Sequence, residues 1–208
     1  MGTHEVANIV QSLNKRADAW DTLGRLELRD CRRFHCLIDE RRWHCQKPKV
    51  TLQPTWRPLL LLLMTYLGKS VDTESLRDYQ REHWGMLNGE TCVIELSGLA
   101  APNLNANIDR NEFLPERIAF IRGKIAEMRP KLVVMYGRKQ RQSWEQIAER
   151  EFPPEPDPFS CKSSTLFCSA PHPSRPIKEG NRYLGNEYWS RLGSKLRSHR
   201  CISAYPPA

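Results

Sequence analysis

Three short apolar runs, separated by helix-forming sequence and each followed by a loop of turn-forming residues, restrict this chain more than any other feature. They are Thr91–Leu96, Lys131–Gly137 (KLVVMYG) and Ser164–Ala170 (STLFCSA). Runs of β-branched and apolar residues bounded by turn signals predict strands, and continuous rather than alternating runs predict strands covered on both faces. Between the first two, Phe113, Leu114, Ile118, Ile121, Ile125 and Met128 recur at helical spacing until Arg129-Pro130 stops the pattern. A further helix passes through Trp144 and Ile147, and a closing one spans Tyr183–Leu196. Upstream, Pro54 and Pro58 bracket a helix start with Thr55 as N-cap. Leu59–Leu67 is apolar all round, as a covered helix would be, and Gly68 ends it. Strands alternating with helices predict an α/β fold: a three-layer αβα arrangement with a short, mainly parallel central sheet.

At 208 residues the chain has room for one such domain, assigned to residues 51–208. Residues 1–50 form an atypical N-terminal segment that crowds Arg, Cys, His and Trp with little periodicity. This segment is expected either to be poorly ordered or to supply the first strand of the sheet through Phe34–Ile38. The proline-rich stretch at 152–159 reads as a stiff, exposed linker.

The longest apolar run, Leu59–Met64, is far short of the roughly 20 residues a membrane span needs, so no membrane association is expected. The N-terminal residues show no basic region followed by an apolar one, which leads to the expectation of a cytoplasmic, nucleoid-associated protein. Seven cysteines, an odd number with no C-x-x-C pair, read as free thiols, and neither a metal site nor any other cofactor is expected. A formal net charge of +8 favours polyanionic partners, and the densest basic run is Arg138–Arg141.

In open α/β sheets ligands bind beyond the carboxyl ends of the strands. The loops at 97–107, 137–142 and 171–176 should therefore share one side. In the last of them His172 stands between two prolines, in SAPHPSRP.

The order of these elements, the FLPERIAFIRGKIAEMRPKLVVMYG helix and strand, and the final strand ending in His172-Pro173-Ser174 together resemble the uracil-DNA glycosylase superfamily over about residues 51–196. The resemblance implies a DNA repair hydrolase that turns a deaminated base out of single- or double-stranded DNA containing uracil or a related base, and cleaves its N-glycosidic bond. It implies that His172 donates a hydrogen bond to the departing base and that Ser174 grips flanking phosphates. Arg175 would fill the vacated stack or pair with a phosphate. Asn103 or Ser97 would read the base, and Arg138 and Lys139 would contact DNA.

The family's early Gly-(Gln/Glu)-x-Pro loop is missing, and the water-positioning role passes by position to Asp39. Glu95, within the first apolar run, is expected to face a pocket or pair with an arginine. Two other readings stay open: a nucleic-acid-binding protein of the same fold that does not cleave, and an unrelated α/β enzyme in which His172 is a general base.

Overall fold

The computed structural model describes residues 51–86, 89–97, 112–155, 157–199 and 201; within the first fifty it describes residues 11, 17–19, 21, 22, 25, 27 and 28. In chain order the described elements begin with β1 (Ala17–Ala19), β2 (Glu27–Leu28), α1 (Trp56–Leu67), α2 (Thr73–Glu82) and α3 (Leu114–Met128). They continue with β3 (Leu132–Tyr136), a 3-10 turn (Arg138–Gln140), α4 (Arg141–Ala148), β4 (Phe159–Lys162) and β5 (Thr165–Ala170). β6 (Lys178–Glu179), β7 (Arg182–Tyr183) and α5 (Asn186–Ser198) complete the order. The chain is mixed α/β and divides into two compact units, residues 1–50 with 81–123 and residues 51–80 with 124–208.

In the first unit β1 and β2 pair antiparallel, Ala17 opposite Leu28. The unit also carries the N-terminal part of α3, whose Arg117 is only 1% exposed. Its guanidinium donates to the Glu95 carbonyl oxygen, at 2.9 Å from Nη2 and 3.2 Å from Nε, and lies over the Phe120 ring. Burial lowers the Arg117 pKa while the Glu95 charge raises it, so an arginine lies within electrostatic reach of Glu95. The segment around Glu95 departs from expectation: residues 91–97 form no strand. β-Propensity expresses a fit to a pleated, partnered surface, and no described strand pairs with Thr91–Leu96.

The second unit holds a three-stranded sheet in the order β3-β5-β4. β3 and β5 run parallel, with Leu132 opposite Leu166 and Tyr136 opposite Ala170. β4 joins β5 antiparallel, Phe159 facing Cys168. The expectation of a mainly parallel sheet is corrected here: one pair is parallel and one antiparallel, because a third strand, β4, begins at the last residue of the supposed linker. Phe152 and Pro158 of that proline-rich stretch are buried.

The helical core of this unit is α1 against α5. Leu59, Leu60, Leu61, Leu62 and Met64 are buried on α1, and Trp189, Leu192 and Leu196 on α5. Gly193 permits the close crossing: a Cβ there would overlap the Leu62 carbonyl oxygen and approach Thr65 Cβ to 2.9 Å. Gly68 ends α1 in the left-handed conformation (φ 71°), its amide donating to the Thr65 carbonyl and the Lys69 amide to that of Met64.

The start of α1 is capped differently from expectation. Thr55 makes no side-chain cap, and the Gln53 carboxamide oxygen instead accepts the Trp56 amide at 2.6 Å. Behind it Gln80, fully buried, accepts the Gln53 amide at 2.9 Å and donates to the Thr51 carbonyl oxygen at 3.2 Å. Asp72 caps α2, accepting the Glu74 and Ser75 amides and both the Ser70 and Ser75 hydroxyls, which hold its carboxyl far below the ordinary range.

Two further expectations change. Met128 closes the apolar series of α3 yet is 72% exposed. Cys161 and Cys201, expected as free thiols, form a disulfide that ties the residue three past α5 to β4. Cys92 and Cys168 are free. Among the described residues no helix is long and apolar enough to cross a membrane.

Candidate functional site

The parallel register brings two of the expected loops to one edge. Both β3 and β5 end there, and the Gly137 amide extends their ladder by donating to the Ala170 carbonyl at 3.0 Å. Gly137 adopts φ 102°, a region other residues avoid, and this turns the chain into Arg138–Gln140. The Trp144 indole donates to the Gly137 carbonyl at 3.1 Å and pins the loop from the side of α4.

Beyond Ala170 the backbone enters a tight turn in which the Arg175 amide donates to the His172 carbonyl at 2.9 Å. Pro173 occupies the second position of that turn, where its fixed φ is already suited. Pro171 and Pro173 are buried and His172 is half-buried between them. The Ser174 amide donates to His172 Nδ1 at 3.2 Å. An accepting Nδ1 leaves Nε2 to carry the proton, so the neutral imidazole presents an Nε2–H donor. Burial lowers the His172 pKa, and the Arg175 charge lowers it further. The Tyr136 ring meets the imidazole edge-on, with centroids 5.6 Å apart.

The Ser174 hydroxyl lies 3.3 Å from that of Thr55, so this loop is tied to the start of α1. That helix terminus offers little to an anion. Gln53 takes the Trp56 and Arg57 amides, and Pro58 has none. The exposed cations of the edge are Arg138, Lys139 and Arg175. Arg138 Nη2 lies 3.4 Å from Glu155 Oε1, and the same oxygen accepts the Tyr188 hydroxyl at 2.8 Å.

Of the residues expected at the site, His172, Ser174, Arg175, Arg138 and Lys139 belong to one unit, on the two adjoining loops. Ser97 is half-buried in the other unit. Asp39 and Asn103 lie outside the described residues. Sequence reasoning missed Glu155 and Tyr188; a carboxylate within PPEPDP was the available signal. Among the described residues no group of three or more His, Cys, Asp or Glu side chains forms a metal site. No protein-family model, curated protein or solved structure matches the chain.

Chemically, the edge combines a preorganised neutral donor with exposed guanidinium and ammonium groups. Such a donor stabilises negative charge that develops on a leaving group, and the cations suit phosphates.

Proposed function

We propose that this chain is a uracil-DNA glycosylase-like hydrolase with a uracil-DNA glycosylase-like α/β fold. It binds DNA and releases a deaminated base by cleaving the N-glycosidic bond. The observation that carries the reading is His172, whose Nδ1 accepts the Ser174 amide and leaves Nε2–H as a donor, in a proline-bracketed turn at the carboxyl edge of β3 and β5, with burial and then the Arg175 charge lowering its pKa. A donor fixed in this way contributes about 3–4 kcal/mol in comparable oxyanion sites. Arg138, Lys139, Ser174 and Arg175 flank it as phosphate contacts.

The test is single-turnover release of uracil from a labelled oligonucleotide, with His172→Ala alongside. Release that falls at least about a hundredfold in the variant supports the assignment, and release unchanged in the variant removes it. Binding without cleavage is the second reading, favoured by the exposed Arg138, Lys139 and Arg175, which serve it equally. It predicts salt-dependent DNA binding, with a slope of roughly −0.9 in log K per phosphate neutralised, and no base release.

A further inference from the structure

β4 runs antiparallel to β5, so the chain entering β4 lies where β5 ends. The Ser169 amide donates to the Pro158 carbonyl at 2.8 Å, next to the Phe159–Cys168 pair. Residues 157 and 158 therefore lie at the carboxyl edge of the sheet, and residues 152–155 lead towards it. This stretch is anchored at both ends. The Phe152 amide donates to Glu145 Oε1 at 3.2 Å and its carbonyl accepts from Arg141, while Lys195 Nζ bonds Asp157 Oδ1 at 2.8 Å.

Glu155 sits between these anchors. Both of its described partners, the Tyr188 hydroxyl and Arg138 Nη2, address Oε1, and among the described residues Oε2 takes no hydrogen bond. Burial and the Glu155 carboxylate raise the Tyr188 pKa far above its ordinary value, so the phenol stays a donor.

The contact with Arg138 holds this carboxylate at the loop that follows β3, and the Gly137–Ala170 bond joins that loop to the one carrying His172. Paired residues of neighbouring strands project to one face, which groups Tyr136 with Ala170 and Cys168 with Val134 and Phe159. Tyr136 and Ala170 share parity along their strands with Val134 and Cys168, so all five side chains lie on one face. The His172 ring meets Tyr136 edge-on. Glu155 and Tyr188 both interact electrostatically with Cys168.

We propose that Glu155 Oε2 and His172 Nε2–H act as an acceptor–donor pair that reads the O=C–N–H edge of a nucleobase. This rests on the reading of His172 given above and makes Glu155 a specificity-determining residue, with Tyr188 and Arg138 positioning it. Uracil offers a carbonyl oxygen to the imidazole and its adjacent N3–H to the carboxylate. Cytosine has no N–H beside its carbonyl and leaves the carboxylate without a partner, an arrangement that discriminates strongly. Thymine presents the same edge as uracil and is not rejected by this pair.

The test uses the full chain and two probes, 1-methyluracil, which keeps the N3–H beside its carbonyls, and 1,3-dimethyluracil, which carries no N–H. Binding is followed by calorimetry or NMR titration in the wild type, Glu155→Ala, Glu155→Gln and Tyr188→Phe, with thermal melts to confirm folding. The wild type should prefer 1-methyluracil about tenfold or more. The preference should vanish in Glu155→Ala and shrink in Tyr188→Phe. A preference unchanged in Glu155→Ala, or no saturable binding of 1-methyluracil by the wild type, overturns the proposal. Should Glu155→Ala melt early, Glu155→Gln and the ligand pair in the wild type still decide it. Base release, measured in parallel, separates the two ideas. Release with no N3–H preference leaves the hydrolase standing and removes the Glu155 pair; preference without release does the reverse.

Discussion

The Gly137 amide donates to the Ala170 carbonyl at 3.0 Å, one residue beyond the last pair of the parallel ladder. This bond joins the two loops that carry Arg138 and His172, and it requires Gly137 at φ 102°. An added Cβ at Gly137 would meet no atom within 4 Å, so any penalty of substitution lies in the backbone alone. Gly137→Ala is expected to lower stability by about 1–3 kcal/mol. Chemical denaturation measures it, and a loss below the error of the midpoint would mean that the loop relaxes freely. DNA affinity should fall with it if Arg138 depends on this turn.

His172 gives a pH prediction whose sign follows from its lowered pKa. Protonation must break the Ser174 amide bond to Nδ1. The unfolded chain, with the ordinary value of 6.5, binds this proton at a higher pH than the folded one. The contribution of the neutral imidazole to stability is complete above that value and is lost as pH falls from there to the folded pKa. Arg175→Gln removes the second of the two causes of the shift, so it should move the folded value towards the ordinary one and narrow that window. An NMR titration of the imidazole reads this directly; an unmoved His172 resonance in the variant would place the whole effect in burial.

The crossing of α1 and α5 predicts a larger loss. A methyl group at Gly193 meets the Leu62 carbonyl oxygen and Thr65 Cβ, backbone and β-carbon atoms that a side-chain rotation cannot clear. Gly193→Ala should therefore destabilise by about 1–3 kcal/mol as an overpacking substitution, despite its better helix propensity. Gly123, in α3 with open space around its Cβ position, is the control: Gly123→Ala should be neutral or stabilising. Equal effects at the two sites would contradict the packing account.

What the sequence made legible follows burial. Ser164–Ala170 is a continuous apolar run because β5 is the central strand, where Leu166, Phe167 and Cys168 are each at most 3% exposed, and Lys131–Gly137 pairs along it as β3, half-buried apart from the buried Met135. Leu59–Leu67 and Gly68 were legible for the same reason, with an αL cap as the stop. Thr91–Leu96 has the composition of a strand, but composition does not supply a partner. α2 escaped notice because TESLRDYQRE buries only Leu76, Tyr79 and Gln80, and its strongest local signal was the capping Asp72. β4 and Glu155 were hidden behind prolines, since pairing to β5 is a long-range fact that local propensity does not encode. Of the candidate site, the His172 turn was legible through its prolines. The Arg138–Glu155–Tyr188 contacts were not, because they join three segments distant in sequence.

The Cys161–Cys201 disulfide carries the last prediction. It closes a sequence separation of 40 residues, and it lies where Phe159 and His199 stack edge-on at 4.9 Å and Lys195 meets Asp157. The unfolded chain loses loop-closure entropy through the bridge, worth about 4 kcal/mol at this separation in the chain-entropy model, with engineered bridges often giving less. Reductant should therefore shift the urea midpoint of the wild type downwards while leaving Cys201→Ser unchanged, and the two should then coincide. Exchange with the free thiols is disfavoured. Cys168 is buried with its pKa pushed up to about 12, and burial raises that of Cys92 as well, so neither forms the attacking thiolate readily. If reductant shifted Cys201→Ser as far as the wild type, the stabilisation would have to come from cysteines other than this pair.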